Sequence, residues 1–315
     1  MAVEGSRLRL RLGTRGSALA LRQSGMVAAD LTRFGTDVEL VPIKTTGDVL
    51  AGSLAAAGGK GLFVKEIEDA LLAGRIDFAV HSMKDVPAVL PAGLALVATP
   101  PREDARDVLV SRSGASLAEL PAGARVGTSS LRRRAQVLAR RPDLEVVELR
   151  GNVDTRLRKV MEAEVDATLL AAAGLRRLGL APAGAVALTV DEFLPAIGQG
   201  ALALEARQGD EAVVARLQVL DDPATAAAVA AERAFLGAVG GDCQTPLAAH
   251  ASCVEGRLRL RALVAEIDGS AALADALDGP IESARAIGAR LGAMLLARGA
   301  GGIIARARAR TTSPR

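Results

Sequence analysis

Arg7-Leu8-Arg9-Leu10-Arg11-Leu12-Gly13-Thr14-Arg15-Gly16-Ser17 carries the clearest structural signal in the chain. Its first six residues alternate basic and apolar at period two, as a half-buried strand does. Gly13 and Gly16 then turn the chain into a helical pattern with Ala20, Val27, Leu31 and Phe34 on one face. The same hand-over recurs further along the chain. Asp37 to Lys44 reads as a strand, residues 64–73 as a helix, and Phe78 to Ser82 as a buried strand. Between them, residues 45–61 are rich in small residues and lack an apolar period, which predicts a mobile lid over residues 46–59 ending at Lys60. Strands alternating with helices predict an α/β protein with parallel or mixed sheets.

Pro100-Pro101-Arg102-Glu103-Asp104 reads as a linker, after which the pattern restarts. Strands are expected at 107–110, 125–127, 144–149 and 167–171, with helices from Leu131 and from Val153. A second crossing falls at Pro195 to Gly200, and residues 201–205 read as a strand again. Beyond Pro223 come a long helix to Leu236, two strands at 247–254 and 257–264, and a helix ending before Gly299. The tail with Arg306, Arg308, Arg310 and Arg315 reads as a frayed, solvated end. The expected fold is therefore α/β with three domains: two lobes with mixed sheets and a small C-terminal α/β domain. The first lobe takes 1–100 and 200–220, the second 105–195, and the third 223–315. No internal repeat shows at a fixed period.

Composition narrows the function. The chain has 315 residues, half of them hydrophobic and about a quarter charged, which excludes disorder and fibrous classes. Net charge is only +3, and there are five Phe but no Trp or Tyr, so a base-stacking surface has little to work with. Two Cys ten positions apart rule out a disulfide framework and suit a cytoplasmic protein. No apolar run approaches the roughly 18 residues of a membrane span. The expectation is a cytoplasmic monomer with no nucleic-acid or membrane partner. Lys is rare against Arg, so an arginine cluster counts only where its position also argues for it.

Four polar clusters follow predicted strands: Thr14–Ser17, His81–Pro87, Gly127–Arg133 and Arg150–Arg156. Ligands of open α/β sheets bind outside the carboxyl ends of strands, so these clusters are expected to converge on one crevice. Ser17, Ser130 and Asn152 can cap helices whose free N–H groups attract anions. Arg132 and Arg133 fall in a first helical turn, where the helix dipole disfavours cations unless an anion binds between them. Gly58-Gly59-Lys60-Gly61 lacks the spacing and hydroxyl of a phosphate loop, and no dinucleotide fingerprint follows a strand. Planar arginine forks point instead to carboxylates. Among these bases Asp85 is the one acid of its cluster, able to stabilise a developing cation or shuttle a proton, or to serve merely as counter-ion to Lys84 or Arg15. Cys243 lies in the glycine-bounded loop Gly240–Pro246, a candidate nucleophile or attachment point, whereas Cys253 falls in an apolar strand. A zinc site from Cys243, His250 and Cys253 lacks a fourth ligand and a finger's spacing, so no metal is expected.

Taken in order, the segments Gly58–Glu66, Ala79–Pro87, Gly127–Arg133, Arg150–Arg156, Ala173–Gly179, Gly198–Leu202 and the Cys243 loop closely resemble the porphobilinogen deaminases, or hydroxymethylbilane synthases. The resemblance runs from Arg15 to about His250. It implies two lobes like those of periplasmic binding proteins, crossed twice by the chain, and a small third domain. It also implies a transferase that condenses four porphobilinogen molecules head to tail with loss of ammonia. The primer is a dipyrromethane cofactor held by a thioether to Cys243, and the linear tetrapyrrole is released by hydrolysis. By this resemblance Asp85 contacts pyrrole N–H groups and stabilises the cation left by ammonia. Arg15, Ser17, Lys84, Arg132, Arg133, Arg150, Arg156 and Arg177 hold acetate and propionate groups. Lys60, Ser82, Thr128, Ser129, Ser130, Gly151, Asn152, Gln199 and Gly200 complete that set. Two departures stand out: Ala55-Ala56-Ala57 where relatives often carry a Lys, and Asp242 before the cysteine where Gly is common. A two-lobed carboxylate-binding protein without enzymatic activity is the competing reading, but it needs neither Asp85 nor a cysteine-bearing third domain.

Overall fold

The computed structural model describes residues 9–46, 64–242 and 245–312. The chain divides into two compact units, Met1–Arg102 with Ala201–Ala226, and Glu103–Gly200 with Ala227–Arg315.

In the first unit, β1 (Arg9–Arg15) runs into α1 (Ala18–Arg33). Ser17 makes that transition sharp, because its side chain accepts the Ala20 N–H in place of a helical carbonyl. β2 (Asp37–Ile43) and β3 (Phe78–Ser82) flank β1, both parallel to it, with α2 (Lys65–Leu72) in the connection. β4 (Leu94–Ala98) is the edge, and β10 (Leu202–Arg207) lies antiparallel between β3 and β4. The sheet order is β2-β1-β3-β10-β4. Alternation along the strands gives the sheet two apolar faces. Leu10, Leu12, Phe78, Val80 and Leu204 pack with Val27 and Leu31 of α1, while Ala79 meets Ile67, Ala70 and Leu71 of α2. Arg11, which looks exposed in the alternating stretch, folds back to pair with Asp77 at 2.7 Å.

The second unit repeats this plan. β5 (Asp107–Ser111), β6 (Arg125–Gly127), β7 (Glu145–Val147), β8 (Ala167–Ala171) and β9 (Ala185–Ala187) form a sheet of order β7-β6-β8-β5-β9. β6 is parallel to β7 and β8, and β5 is antiparallel to both its neighbours. β5 therefore plays the part of β10, and β6 that of β1. α3 (Leu131–Arg140), α4 (Val153–Met161) and the short α5 (Ala172–Arg177) connect the strands.

A third, antiparallel sheet β11 (Leu247–Val254), β12 (Arg257–Ala265), β13 (Ala272–Pro280) belongs to the same compact unit. Its core unites Leu258, Leu260 and Val264 with Phe235 of α7 (Pro223–Val239) and Leu291 and Leu295 of α8 (Ala284–Ala297). α6 (Glu211–Leu217) precedes α7. Glu232 on α7 is fully buried, and its carboxylate accepts the N–H of Gly198 at 2.6 Å and of Ala251 at 2.8 Å. One side chain thus ties the 195–200 crossing to β11.

The mixed α/β architecture with a third small sheet agrees with the sequence reading, and several elements correct it. Residues after Gly299 are not a frayed end. They form α9 (Ala300–Thr312), with Ile303, Ile304 and Ala307 buried and Arg306 paired to Glu266 at 2.6 Å. β4, β9, β13 and α6 were not anticipated. The predicted lid at 46–59 falls almost wholly outside the described residues.

Gly200 sits where the chain leaves the second unit. Its φ is +88°, and a Cβ there would run into the carbonyl oxygen of Glu103, whose own N–H donates to Gly200 O at 3.2 Å. Gly200→Ala is expected to destabilise the fold by about 1–3 kcal/mol, the usual magnitude of such backbone strain. Urea unfolding at pH 7 checks this, and an unshifted midpoint would mean that the two crossing segments yield freely.

Candidate active site

In the first unit β1 and β3 are parallel, so Thr14–Ser17 and Ser82–Asp85 emerge at the same carboxyl edge of one sheet. A buried hydroxyl pair, Ser24 to Thr14 at 2.7 Å, fixes the end of β1 to α1. Ser82 is held by Gln23 of α1, whose amide donates to its Oγ at 3.1 Å. Met83–Asp85 form one turn of 3-10 helix. The Met83 N–H donates to Ala201 O, and the Val86 N–H closes the turn on Met83 O. Met83 and Val86 point inward, which leaves Lys84 and Asp85 exposed. Among the described residues Asp85 makes no hydrogen bond or ion pair, so the counter-ion reading finds no contact to rest on.

The second unit offers the corresponding edge. Ser130 caps α3, accepting the Arg133 N–H, and its own N–H donates to Thr128 Oγ1 at 3.1 Å. Ser129 donates to Leu149 O at 2.6 Å, joining the ends of β6 and β7. Gly151 has φ +117°, and a Cβ there would lie 2.6 Å from Thr155 Cγ2. Only glycine lets the turn into α4 be this tight. Asn152 takes the N-cap position, but contrary to expectation its side chain makes no capping bond. Arg150 pairs with Glu148 at 2.5 Å, and Arg156 Nε donates to Gly151 O at 2.8 Å.

Arg132 and Arg133 depart most from the sequence reading, which left them exposed to a bound anion. Their side chains are 5% and 7% exposed, and both grip Asp107, which is wholly buried. Arg132 donates through Nη1 and Nη2, Arg133 through Nε and Nη2, at 2.7–3.2 Å. Further donors reach Leu194 O and Leu169 O at 2.8 Å. Burial alone would raise the Asp107 pKa, but the charges and hydrogen bonds of Arg132 and Arg133 hold it far below the usual carboxylate range. Two guanidiniums against one carboxylate still leave a positive charge. Arg132 Nε is buried without a hydrogen-bond partner among the described residues.

That surplus reaches its neighbours. Arg156 is pushed down to about 10 by burial first, then by the positive charges of Arg133 and Arg150. Three guanidiniums therefore crowd one edge, which is the electrostatic character of an anion site. Arg177 lies apart from them, donating to Gly200 O at 2.6 Å, and Gln199 donates to Ala105 O at 2.7 Å. Both brace the crossing segments of the second unit.

Cys243 and Lys60 lie outside the described residues. The flanks of the cysteine loop are fastened: the Asp242 N–H donates to Thr245 Oγ1 at 3.0 Å, and Arg308 of α9 bonds Gly240 O and lies 3.7 Å from the Asp242 carboxylate. Cys253 packs on the core of the third sheet. No group of three metal-ligating side chains occurs among the described residues, and no single helix there is long and apolar enough to cross a membrane. Sequence reasoning missed Asp107, which has no signal beyond being the first residue of a strand.

Comparison with known proteins gives two family matches. Residues 10–215 match the porphobilinogen deaminase dipyrromethane cofactor binding domain, and residues 226–297 match the C-terminal domain of that family. A porphobilinogen deaminase of Syntrophotalea carbinolica is 57% identical over 299 residues, covering 94% of this chain and 95% of the relative. Those of Syntrophobacter fumaroxidans and Geobacter sulfurreducens are 53% and 51% identical, over 92% and 94% of this chain and 95% and 94% of theirs. Among solved structures, an arginine-specific periplasmic binding protein of Salmonella typhimurium is 13% identical, covers 70% of this chain and 94% of its own, and has a TM-score of 0.40, too weak a likeness to add to the sheet topology.

Asp107→Asn should be strongly destabilising, by about 3–5 kcal/mol, because it strands two buried guanidiniums. Since the Asp107 pKa is depressed in the fold, its contribution is complete at neutral pH. It is lost only as pH falls below the unfolded carboxylate's value and through the depressed one. Urea unfolding at pH 7 reads the difference, and a near-wild-type midpoint would contradict it.

Proposed function

The chain belongs to the porphobilinogen deaminase family, and from that premise we propose how its residues divide the reaction. It is an enzyme of tetrapyrrole synthesis, a hydroxymethylbilane synthase that uses a dipyrromethane cofactor and takes porphobilinogen as substrate. The observation that carries the assignment of residues is the crowding of Arg133, Arg150 and Arg156 at one edge, where burial first and then the neighbouring positive charges push Arg156 down to about 10. Like charges held together call for an anionic partner. A dipyrromethane bears acetate and propionate groups and so fits this edge.

On this reading the second unit holds the cofactor's carboxylates. Arg132, Arg133, Arg150 and Arg156 supply charge, Thr128, Ser129, Ser130 and Asn152 supply hydroxyl, amide and N–H donors, and Gly151 allows close approach. Arg177, Gln199 and Gly200 set the crossing segments beside them. When bound, through a thioether to Cys243, the dipyrromethane supplies the pyrrole carbon at which condensation begins. In the first unit Arg15, Ser17, Lys60, Ser82 and Lys84 take the carboxylates of porphobilinogen. Asp85, exposed and without a partner among the described residues, faces the substrate and stabilises the cation left when ammonia departs. Residues 223–315 would act as a third domain presenting Cys243. The enzyme would work as a cytoplasmic monomer without nucleic-acid or membrane partners, in keeping with its modest net charge.

Intact mass of the purified protein should exceed the sequence by two pyrrole units, located on the peptide containing Cys243 and not on that containing Cys253. An active enzyme with an unmodified Cys243 peptide would refute the attachment. Arg156→Leu should fold, yet load the primer poorly or not at all, because Arg156 lies on an edge rather than in a core.

Asp85→Asn keeps shape but removes charge and should lower turnover about 10²–10³-fold, the cost of losing one preorganised electrostatic partner. Asp85→Glu should keep part of the activity. Normal turnover in the Asn variant would remove Asp85 from the mechanism.

A further inference from the structure

Beneath the carboxyl edge of the first sheet lies a group of buried charges that carboxylate binding leaves unused. His81 on β3 is opposite Ala203 of β10, and Glu205 stands two residues further along, so both side chains share the face covered by α2. His81 Nε2 lies 2.9 Å from Glu205 Oε2, with side chains only 4% and 1% exposed. Glu68, on the buried side of α2, is 6% exposed. Glu205 Oε1 and Glu68 Oε1 are buried with no hydrogen-bond partner among the described residues. Two carboxylates thus face one imidazole, in a layer formed by Ile67, Leu71, Ala79 and Leu94.

The other charges around α2 are committed elsewhere. On β1, Arg11 binds Asp77 and Gly74 O, and Arg15 sits at the strand's end. On β10, Arg207 donates to Leu71 O, Ile76 O and Asp210. On α2 itself, Lys65 pairs with Asp69, and Glu66 accepts from Thr46. β4 carries no charged residue. A second buried carboxylate without a counter-charge is most readily relieved by a proton. Burial first, then the charge of Glu205, pushes Glu68 up to about 7, with His81 opposing.

This group sits at the root of the catalytic turn. Ser82 follows His81, and the 3-10 turn Met83–Asp85 follows Ser82. With no side-chain contact of its own among the described residues, the Asp85 carboxylate is placed only through the backbone of this turn. That backbone is anchored to β10 by the Met83-to-Ala201 bond and by the pairing of Ser82 with Leu202 and His81 with Ala203, and the side chains of His81 and Glu205 join the same two strands below it.

We propose that Glu205, acting through His81, is a positioning residue for Asp85, and that Glu68 completes the buried group as a neutral acid. The proposal rests on the role assigned to Asp85. Loss of the His81–Glu205 bond would let the turn shift, carrying Asp85 and Lys84 with it, while Arg15 and Ser17 stay in place. Turnover would then fall by more than substrate affinity does.

The holoenzyme, its primer verified by intact mass, tests this with Glu205→Gln, His81→Asn and Asp85→Asn in one assay. Glu205→Gln and His81→Asn should lower kcat at least tenfold and raise KM by a clearly smaller factor. Should Glu205→Gln fail to fold, Glu68→Gln/Glu205→Gln replaces it with the same expected outcome, since it leaves no buried carboxylate in the group. If Asp85→Asn is inactive while Glu205→Gln keeps wild-type kcat, or changes KM alone, the positioning role is overturned. If Asp85→Asn is itself fully active, the assignment of Asp85 falls and takes the proposal with it. Glu68→Gln tests the neutral acid without reference to activity. A folded-state pKa raised to about 7 gives stability that is complete below the unfolded carboxyl's value of 4.5 and is lost as pH rises from there through 7. The urea midpoint of the wild type should therefore drop by about 1 M more than that of Glu68→Gln between pH 5 and 8.5. Equal drops would show that Glu68 is not held as the acid.

Discussion

Guanidiniums set side by side repel, and the second unit crowds three of them at one sheet edge, with a single carboxylate buried beneath Arg132 and Arg133. Asp107 is out of contact with water and accepts four N–H bonds from Arg132 and Arg133. Without it neither arginine could leave solvent, since an unpaired buried charge is far too costly. With it, α3 is fastened to β5, the strand in the antiparallel position, and residual positive charge is left for Arg156 to feel. The same contact therefore fixes the fold and charges the site. Its backbone partners, Leu169 O and Leu194 O, extend the hold to β8 and to the segment before the second crossing.

Both larger sheets place three parallel strands, then one antiparallel strand, then an edge strand running with the first three. In the first, the antiparallel strand β10 comes from a stretch of chain distant from the run it joins, after the return, whereas in the second β5 opens the run itself. Both antiparallel strands follow closely on a crossing, and the crossings are held by several contacts. Gly200 and Glu103 bond through their backbones, Gln199 and Arg177 brace the same place, and Glu232 caps Gly198. Loop-like Pro-rich sequence at these points hides a dense set of hydrogen bonds.

Alternation of strand and helix was legible because each strand buries a face at period two and each connecting helix is amphipathic. The polar clusters were legible too, since small and capping residues at strand ends have few other uses. What escaped notice shares a physical cause. β13, with Ala, Leu and Asp in mixed order, is a strand because nine residues of β12 pair with it, not because of its own pattern. In α9 the run Ala-Arg-Ala-Arg-Ala-Arg reads at period two, yet Ile303, Ile304 and Ala307 are buried at helical spacing. Asp107 and Glu205 meet their partners 25 and 124 positions away, and Glu68 stands in a run with Glu66 and Asp69 that looks like a solvated face. A sequence shows that such an acid needs a partner, but not which one it has.

The exposed acid and the buried acids differ in how much of their charge neighbouring groups already take up. A carboxylate already bound to a guanidinium, as Asp77 is to Arg11, has its charge spent before substrate arrives. Asp85 escapes that fate because its turn points Met83 and Val86 inward and leaves the carboxylate outward, while Arg11 and Arg207 of the same sheet are satisfied by Asp77, Asp210 and backbone carbonyls. An acid can remain available among bases only where the bases have been given other partners. In the first unit those partners lie under α2 and at the far end of the strands, away from the carboxyl edge. Preorganisation of the site therefore begins with residues that do not touch the ligand, because they decide which charges are left to meet it.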